Sequence, residues 1–128
     1  MKVFSAEWAN AYYEALSQNE AYKQSGAKWD LGQLALVMDE EAVLLDLHEG
    51  HCRSIRAVSA ADAQTQANFI IEGNRIIWQK VLAGELAPIM GIMSGKLKLT
   101  KGSIGKLMPF TKAAIDLVQS AQELETDF

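Results

Sequence analysis

The stretch from Leu31 to Val58, "LGQLALVMDEEAVLLDLHEGHCRSIRAV", limits the fold more than any other part of the chain. In "QLALVM", Leu34, Leu36 and Met38 fall on one side of an extended backbone, and Gln33, Ala35 and Val37 fall on the other. "AVLLDLH" repeats the pattern, with Val43, Leu45 and Leu47 set against Ala42, Leu44, Asp46 and His48. "DEE" and "HEGH" are tight turns, and Gly50 supplies a residue free to take positive φ. "CRSIRAV" then reads as a third strand. Three strands joined this closely predict an antiparallel meander.

Helical signals lie on both sides of the meander. Ser5 is placed to cap a helix with Glu7 in its first turn, and Trp8, Ala11, Tyr12, Ala15 and Leu16 form its apolar face. Asn19 caps a second short helix that Gly26 stops. "SAADAQTQ" is ambiguous, with at most a turn of helix, and "ANFIIEG" is a short strand. Asn74 caps "RIIWQKVLAG", whose stripe is Ile77, Trp78, Val81 and Leu82 before Gly84 ends it. Pro88 suits the first turn of "PIMGIMSG", "KLKLT" alternates as a strand, and "KGS" turns the chain. Pro109 opens a last helix that runs to about Leu124, with a stripe of Phe110, Ala114, Leu117, Val118, Ala121 and Leu124. The result is an α+β chain of five strands, and its 128 residues suit one domain over 1–128.

Composition excludes several classes of function. A net charge of −4 argues against a nucleic-acid binder, which normally carries a basic footprint. A single cysteine, Cys52, cannot form an internal disulfide. The first residues do not read as a signal peptide, the terminal "ETDF" is no peroxisomal address, and no apolar run reaches the roughly 20 residues of a bilayer span. The expected location is the cytoplasm.

Three groups of residues are candidates for chemistry. Gly95-Lys96 and Gly105-Lys106 invite comparison with a phosphate loop. That loop needs four residues between its glycines and Ser or Thr after Lys, and both pairs fail on each count. Gly95 reads instead as a helix C-cap, with Lys96 and Lys98 on the solvated side of a strand. "HEGHC" gathers His48, His51 and Cys52, but no distant Cys/His pair completes a tetrahedral metal set, and a polar hairpin tip is the plainer account. The third group is apolar. "PIMGIMSGKLKLTKGSIGKLMPF" concentrates Met, Ile and Leu, and methionine surfaces adapt to ligands of varied shape, although such a stripe is more often ordinary core.

The segment "IIEGNRIIWQKVLAGELAPIMGIMSGKLKLTKGSIGKLMPF" resembles the C-terminal half of the type-two sterol carrier domain. The matching residues are Ile71, Trp78, Leu82, Gly84, Pro88, Met93, Gly95, Lys96, Leu97, Lys98, Gly102 and Leu107. The N-terminal half is similar in layout only. The resemblance implies a five-stranded, mostly antiparallel sheet covered by helices. It also implies an apolar tunnel for a fatty acid, acyl-CoA, sterol-like lipid or phospholipid, and it brings no catalytic residues, metal or cofactor.

The function expected from the sequence is therefore non-enzymatic binding, with intracellular transfer, of a hydrophobic ligand. The expected tunnel wall is Ile77, Trp78, Val81, Leu82, Leu86, Ile89, Met90, Met93, Leu107, Met108, Phe110 and Leu117. The last helix serves as its lid. Lys96, Lys98, Lys101 and Lys106, with Lys112, are expected to meet an anionic head group or a membrane surface. One rival is an accessory or dimerisation module whose core is filled by its own side chains. Another is a small hydrolase or transferase that pairs Cys52 with His48 or His51.

Overall fold

The computed structural model describes residues 1–128. Two helices come first, α1 (Ala6–Ser17) and α2 (Glu20–Ser25), followed by strands β1 (Gln33–Met38), β2 (Glu41–His48) and β3 (His51–Ser59). Helix α3 (Ala60–Gln66) leads to β4 (Phe69–Glu72). Helices α4 (Arg75–Leu82) and α5 (Pro88–Met93) precede β5 (Lys98–Lys101). The chain closes with α6 (Ile104–Leu107), a 3-10 turn at Met108–Phe110 and α7 (Thr111–Gln122).

The expected caps form. Ser5, Asn19 and Asn74 each accept a hydrogen bond from a backbone N–H in the first turn of their helix, at 3.2, 3.0 and 2.9 Å. Gly95 follows the C-cap of α5 with φ +78, where other residues are strained.

The five strands form one sheet in the order β3-β2-β1-β4-β5. The meander is antiparallel, with Leu36 opposite Val43 and Leu45 opposite Ile55. The ambiguous "SAADAQTQ" is α3, and it sets the topology. It carries the chain from the β3 edge across the sheet, so that β4 lies parallel to β1. The other three pairings are antiparallel.

Strand alternation divides the interior in two. Ala35, Val37, Ala42, Leu44 and Ile70 meet Ala63 and Ala67 beneath α3, and the alanines let that helix sit close to the sheet. The opposite face carries Leu34, Leu36, Met38, Val43, Leu45, Leu47, Phe69 and Ile71 toward the remaining helices. The larger core lies on this side, and the candidate site is inside it.

Candidate functional site: the interior between the sheet and the last helix

A narrow cavity lies within the larger core. Its wall takes Leu34, Leu36, Leu47 and Ile71 from the sheet, Tyr22 from α2, and Trp29 from the loop before β1. Trp78 of α4, Pro88 of α5, Leu97 before β5 and Leu107 of α6 continue it. Ala113, Ala114, Leu117 and Val118 of α7 close the top. No charged side chain reaches this wall. The cavity has a volume of about 20 Å³, on the order of what one water requires. Ligand pockets usually measure about 300–1,000 Å³. At this volume the surrounding side chains themselves occupy most of the space between the sheet and the last helix.

The indoles that frame the space are fixed by backbone acceptors. Trp78 Nε1 donates to the Val37 carbonyl at 2.9 Å, and Trp29 Nε1 donates to the Gly32 carbonyl at 3.0 Å. The Trp29 ring meets Phe110 edge to face, with centroids 5.1 Å apart.

Helix α7 is held unevenly. Tyr12 Oη donates to the Leu117 carbonyl at 2.9 Å. Asn19 Nδ2 donates to the Asp116 carbonyl and to Ser120 Oγ, both at 2.8 Å. Gln122 Nε2 donates to the Val81 carbonyl at 3.0 Å. All four bonds fall from Asp116 onward. Lys112 bonds only within the helix, to the buried Asp116 carboxylate at 2.6 and 2.7 Å. Before Asp116, contact with the rest of the core is apolar, through Phe110, Ala113 and Ala114.

Of the residues expected on the tunnel wall, Trp78, Leu107 and Leu117 line the cavity. Val81 and Ile89 are buried in the surrounding core, and Ile77, Leu82, Leu86 and Phe110 pack half-buried against it. The methionines lie elsewhere. Met90 and Met93 are each 63% exposed and Met108 is 43% exposed. On the short helix α5, Pro88, Ile89 and Gly91 take the inward positions, which leaves Met90 and Met93 outside. Tyr22, Trp29, Leu34, Leu36 and Leu47 were not assigned to the wall from sequence. The inward phase of β1 and β2 was legible, but nothing local indicated which helix would cover it.

The lysines do not form one patch. Lys96 and Lys98 line an open groove with Asp39, Glu72 and Asn74. Lys106 lines a separate groove with Asp30, Asn68 and Ser103. Lys101 Nζ donates to the Gln64 carbonyl at 2.8 Å, which ties β5 to α3.

The "HEGHC" hairpin brings no three His, Cys, Asp or Glu side chains together as a metal site. His48 and His51 are exposed. Cys52 is half-buried and donates to the Ser54 carbonyl at 3.4 Å. Burial pushes its thiol up to about 12, so it is protonated near neutral pH and is a poor nucleophile.

This sheet order, with an apolar interior roofed by the last helix, can be compared with known proteins. The model of the SCP-2 sterol transfer family matches residues 12–114. The chain belongs to the SCP-2 sterol transfer family. Among solved structures, it is similar to a crystal structure of sterol carrier protein 2, with 38% identity and a TM-score of 0.88, over 97% of this chain and 100% of that one. A solution structure of a conserved hypothetical protein from Thermus thermophilus is similar at 38% identity and TM-score 0.88, over 99% of this chain and 92% of that one. Sterol carrier protein 2 from Yarrowia lipolytica, in its apo form, shares the fold at 19% identity and TM-score 0.55, over 90% of this chain and 89% of that one. A sequence comparison with curated proteins finds no match. Membership supports lipid binding or transfer as the general activity, and no helix here is long and apolar enough to cross a membrane.

Proposed function

We propose that residues 1–128 act as a single non-enzymatic carrier domain in the cytoplasm. It takes one hydrophobic lipid between the sheet and α7 and transfers it by exchange with a membrane. The observation that carries this reading is the cavity wall itself: it draws on α2, four of the α-helices that follow the meander, and three strands, and it bears no charge. Each CH₂ group buried there contributes about 0.8 kcal/mol, so a long alkyl chain is held with few polar contacts.

Cargo needs more room than the resting cavity offers. The uneven tethering of α7 supports opening at its Phe110–Ala114 end, where only apolar contacts must separate, while the bonds to Asp116, Leu117, Ser120 and Gln122 act as the hinge. Charge supports loading from an anionic surface. Residues 75–112 hold seven of the twelve basic residues and one of the sixteen acidic ones. The exposed Ile76, Met90, Met93, Ile104 and Met108 lie in the same segment. Lysines near a surface attract anionic lipids at about 1 kcal/mol each, and exposed apolar side chains can enter the interface.

Native mass spectrometry after incubation with phosphatidylcholine vesicles containing phosphatidylserine tests the reading. A one-to-one lipid adduct is expected, formed more slowly with vesicles that lack the anionic lipid. Absence of any adduct across several lipid classes overturns it. The small resting cavity favours a second reading, an accessory module with a permanently filled core. That reading predicts no adduct and a stable dimer on gel filtration.

A further inference from the structure

Asp116 is the one charged residue buried in the chain. Its side chain is 4% exposed, whereas the Lys112 side chain that neutralises it is 71% exposed. Lys112 Nζ donates to both carboxylate oxygens, at 2.6 and 2.7 Å, and no other group donates to them. A buried charge therefore depends on an ammonium group that stands in solvent.

The pair occupies a seam between α7 and the chain that enters α5. A surface groove is lined by Leu86, Ala87 and Pro88 on one side and by Lys112, Ile115 and Asp116 of α7 on the other. Pro88 also lines the interior cavity, as do Ala113 and Leu117 of α7. The contact between α7 and the Leu86–Pro88 connection thus separates the groove from the cavity. Lys112 and Asp116 are the only charged residues of the groove, so no second cation there can take over the carboxylate.

Lys112 is weakly held by its own helix. It lies in the first turn of α7, where the helix dipole disfavours a cation, and Lys four residues before an acid is the less favourable order for a helical pair. It also ends the basic segment 75–112. A lipid phosphate accepts charge-assisted hydrogen bonds from an ammonium group as a carboxylate does. Loss of one partner from a buried ion pair leaves an uncompensated charge, a strongly destabilising state. The Asp116 carboxylate regains solvation when the seam opens.

We propose that Lys112 and Asp116 form a membrane-responsive latch: a phosphate of an anionic bilayer draws Lys112 away, and the stranded Asp116 carboxylate favours separation of α7 from the Leu86–Pro88 connection. This inference rests on the carrier reading above and supplies its regulation. The interior stays closed in water, where Lys112 is paired, and opens at the surface that donates or receives the lipid.

The test is stopped-flow uptake of a fluorescent phospholipid from phosphatidylcholine vesicles with and without phosphatidylserine. Vesicles are saturating, so that attachment does not limit the rate. The wild type should take up lipid roughly ten-fold faster when phosphatidylserine is present, a modest share of the cost of a broken buried pair. Lys112→Met strands the carboxylate permanently and should be fast with both vesicles. Asp116→Asn removes the charge to be stranded and should be slow with both, and the double variant should match Asp116→Asn. A merely structural ion pair predicts that the two single variants behave alike, and that result overturns the latch. So does wild-type acceleration retained in Asp116→Asn, a comparison that does not need Lys112→Met to fold. Uptake by the wild type at equal rates from both vesicles also overturns the latch while lipid carriage stands. No uptake from either vesicle overturns the carrier reading and this inference together.

Discussion

The hydroxyl of Tyr12 on α1 donates to the Leu117 carbonyl on α7 at 2.9 Å, a buried bond between residues 105 positions apart. It fastens the first helix to the helix that roofs the cavity. Asn19 adds two bonds to the same stretch of α7. Tyr12→Phe should therefore destabilise the fold by about 1–2 kcal/mol, because the Leu117 carbonyl loses its side-chain donor in a buried setting. Asn19→Ala should cost about as much or more, since it also removes the cap of α2. Urea unfolding measures both. If α7 is the moving element, the two variants also take up lipid faster than the wild type in stopped-flow fluorescence. Unchanged stability would remove the hinge from the account.

Leu97 tests whether the wall is packed as described. It is 1% exposed, lines the cavity and lies against Gly91, where an added Cβ would meet its Cδ1 at 2.7 Å. Leu97→Ala should cost about 2–5 kcal/mol and leave extra space beneath α5. Binding of an apolar dye should rise in the folded protein. A thermal midpoint equal to that of the wild type would show that Leu97 does not belong to this wall.

Two glycines that bracket β5 should respond differently to substitution. Gly95 has φ +78 and open space where a Cβ would go, so Gly95→Ala bears only the backbone cost, about 1–2 kcal/mol. Gly102 has φ +97, and its Cβ would land on the ring of buried Phe69. Gly102→Ala adds a packing penalty of about 1–3 kcal/mol. Denaturant titration should rank Gly102→Ala as the more damaging change, and the reverse order would contradict the placement of Phe69.

The Cys52 thiol gives a pH signature. Its ordinary value is 9.0, and burial raises it to about 12 in the folded chain. Between those values the folded state binds more protons than the unfolded state, so the contribution of this group to stability falls as pH rises from about 9 toward 12. At pH 8, alkylation by iodoacetamide should be slow in the folded protein and fast in urea. Rapid alkylation of the folded protein would contradict the burial and would reopen a nucleophilic role.

The strands, their faces and most helix caps were legible because each depends on local pattern: period-two alternation from Leu34 to Leu47, or Asn and Ser just before an apolar run. The parallel pairing of β1 with β4 was not legible, because "SAADAQTQ" carries too little periodicity to show that it crosses a whole sheet. The site was legible only in part. Methionine-rich sequence pointed to α5, but a helix of six residues has few inward positions, and Pro88, Ile89 and Gly91 occupy them. Tyr22 and Trp29 reach the wall through contacts between distant segments, for which one sequence holds no local signal.

The most direct test is a solution NMR measurement of nuclear Overhauser contacts between a bound 1-tetradecanol chain and the protein methyl groups. Bound lipid should show contacts to Leu34, Leu97, Leu107 and Leu117, with shifts concentrated at the Phe110–Ala114 end of α7. Contacts confined to Met90, Met93 and Met108, with the interior methyls unmoved, would contradict the account and leave a surface that touches lipid without carrying it.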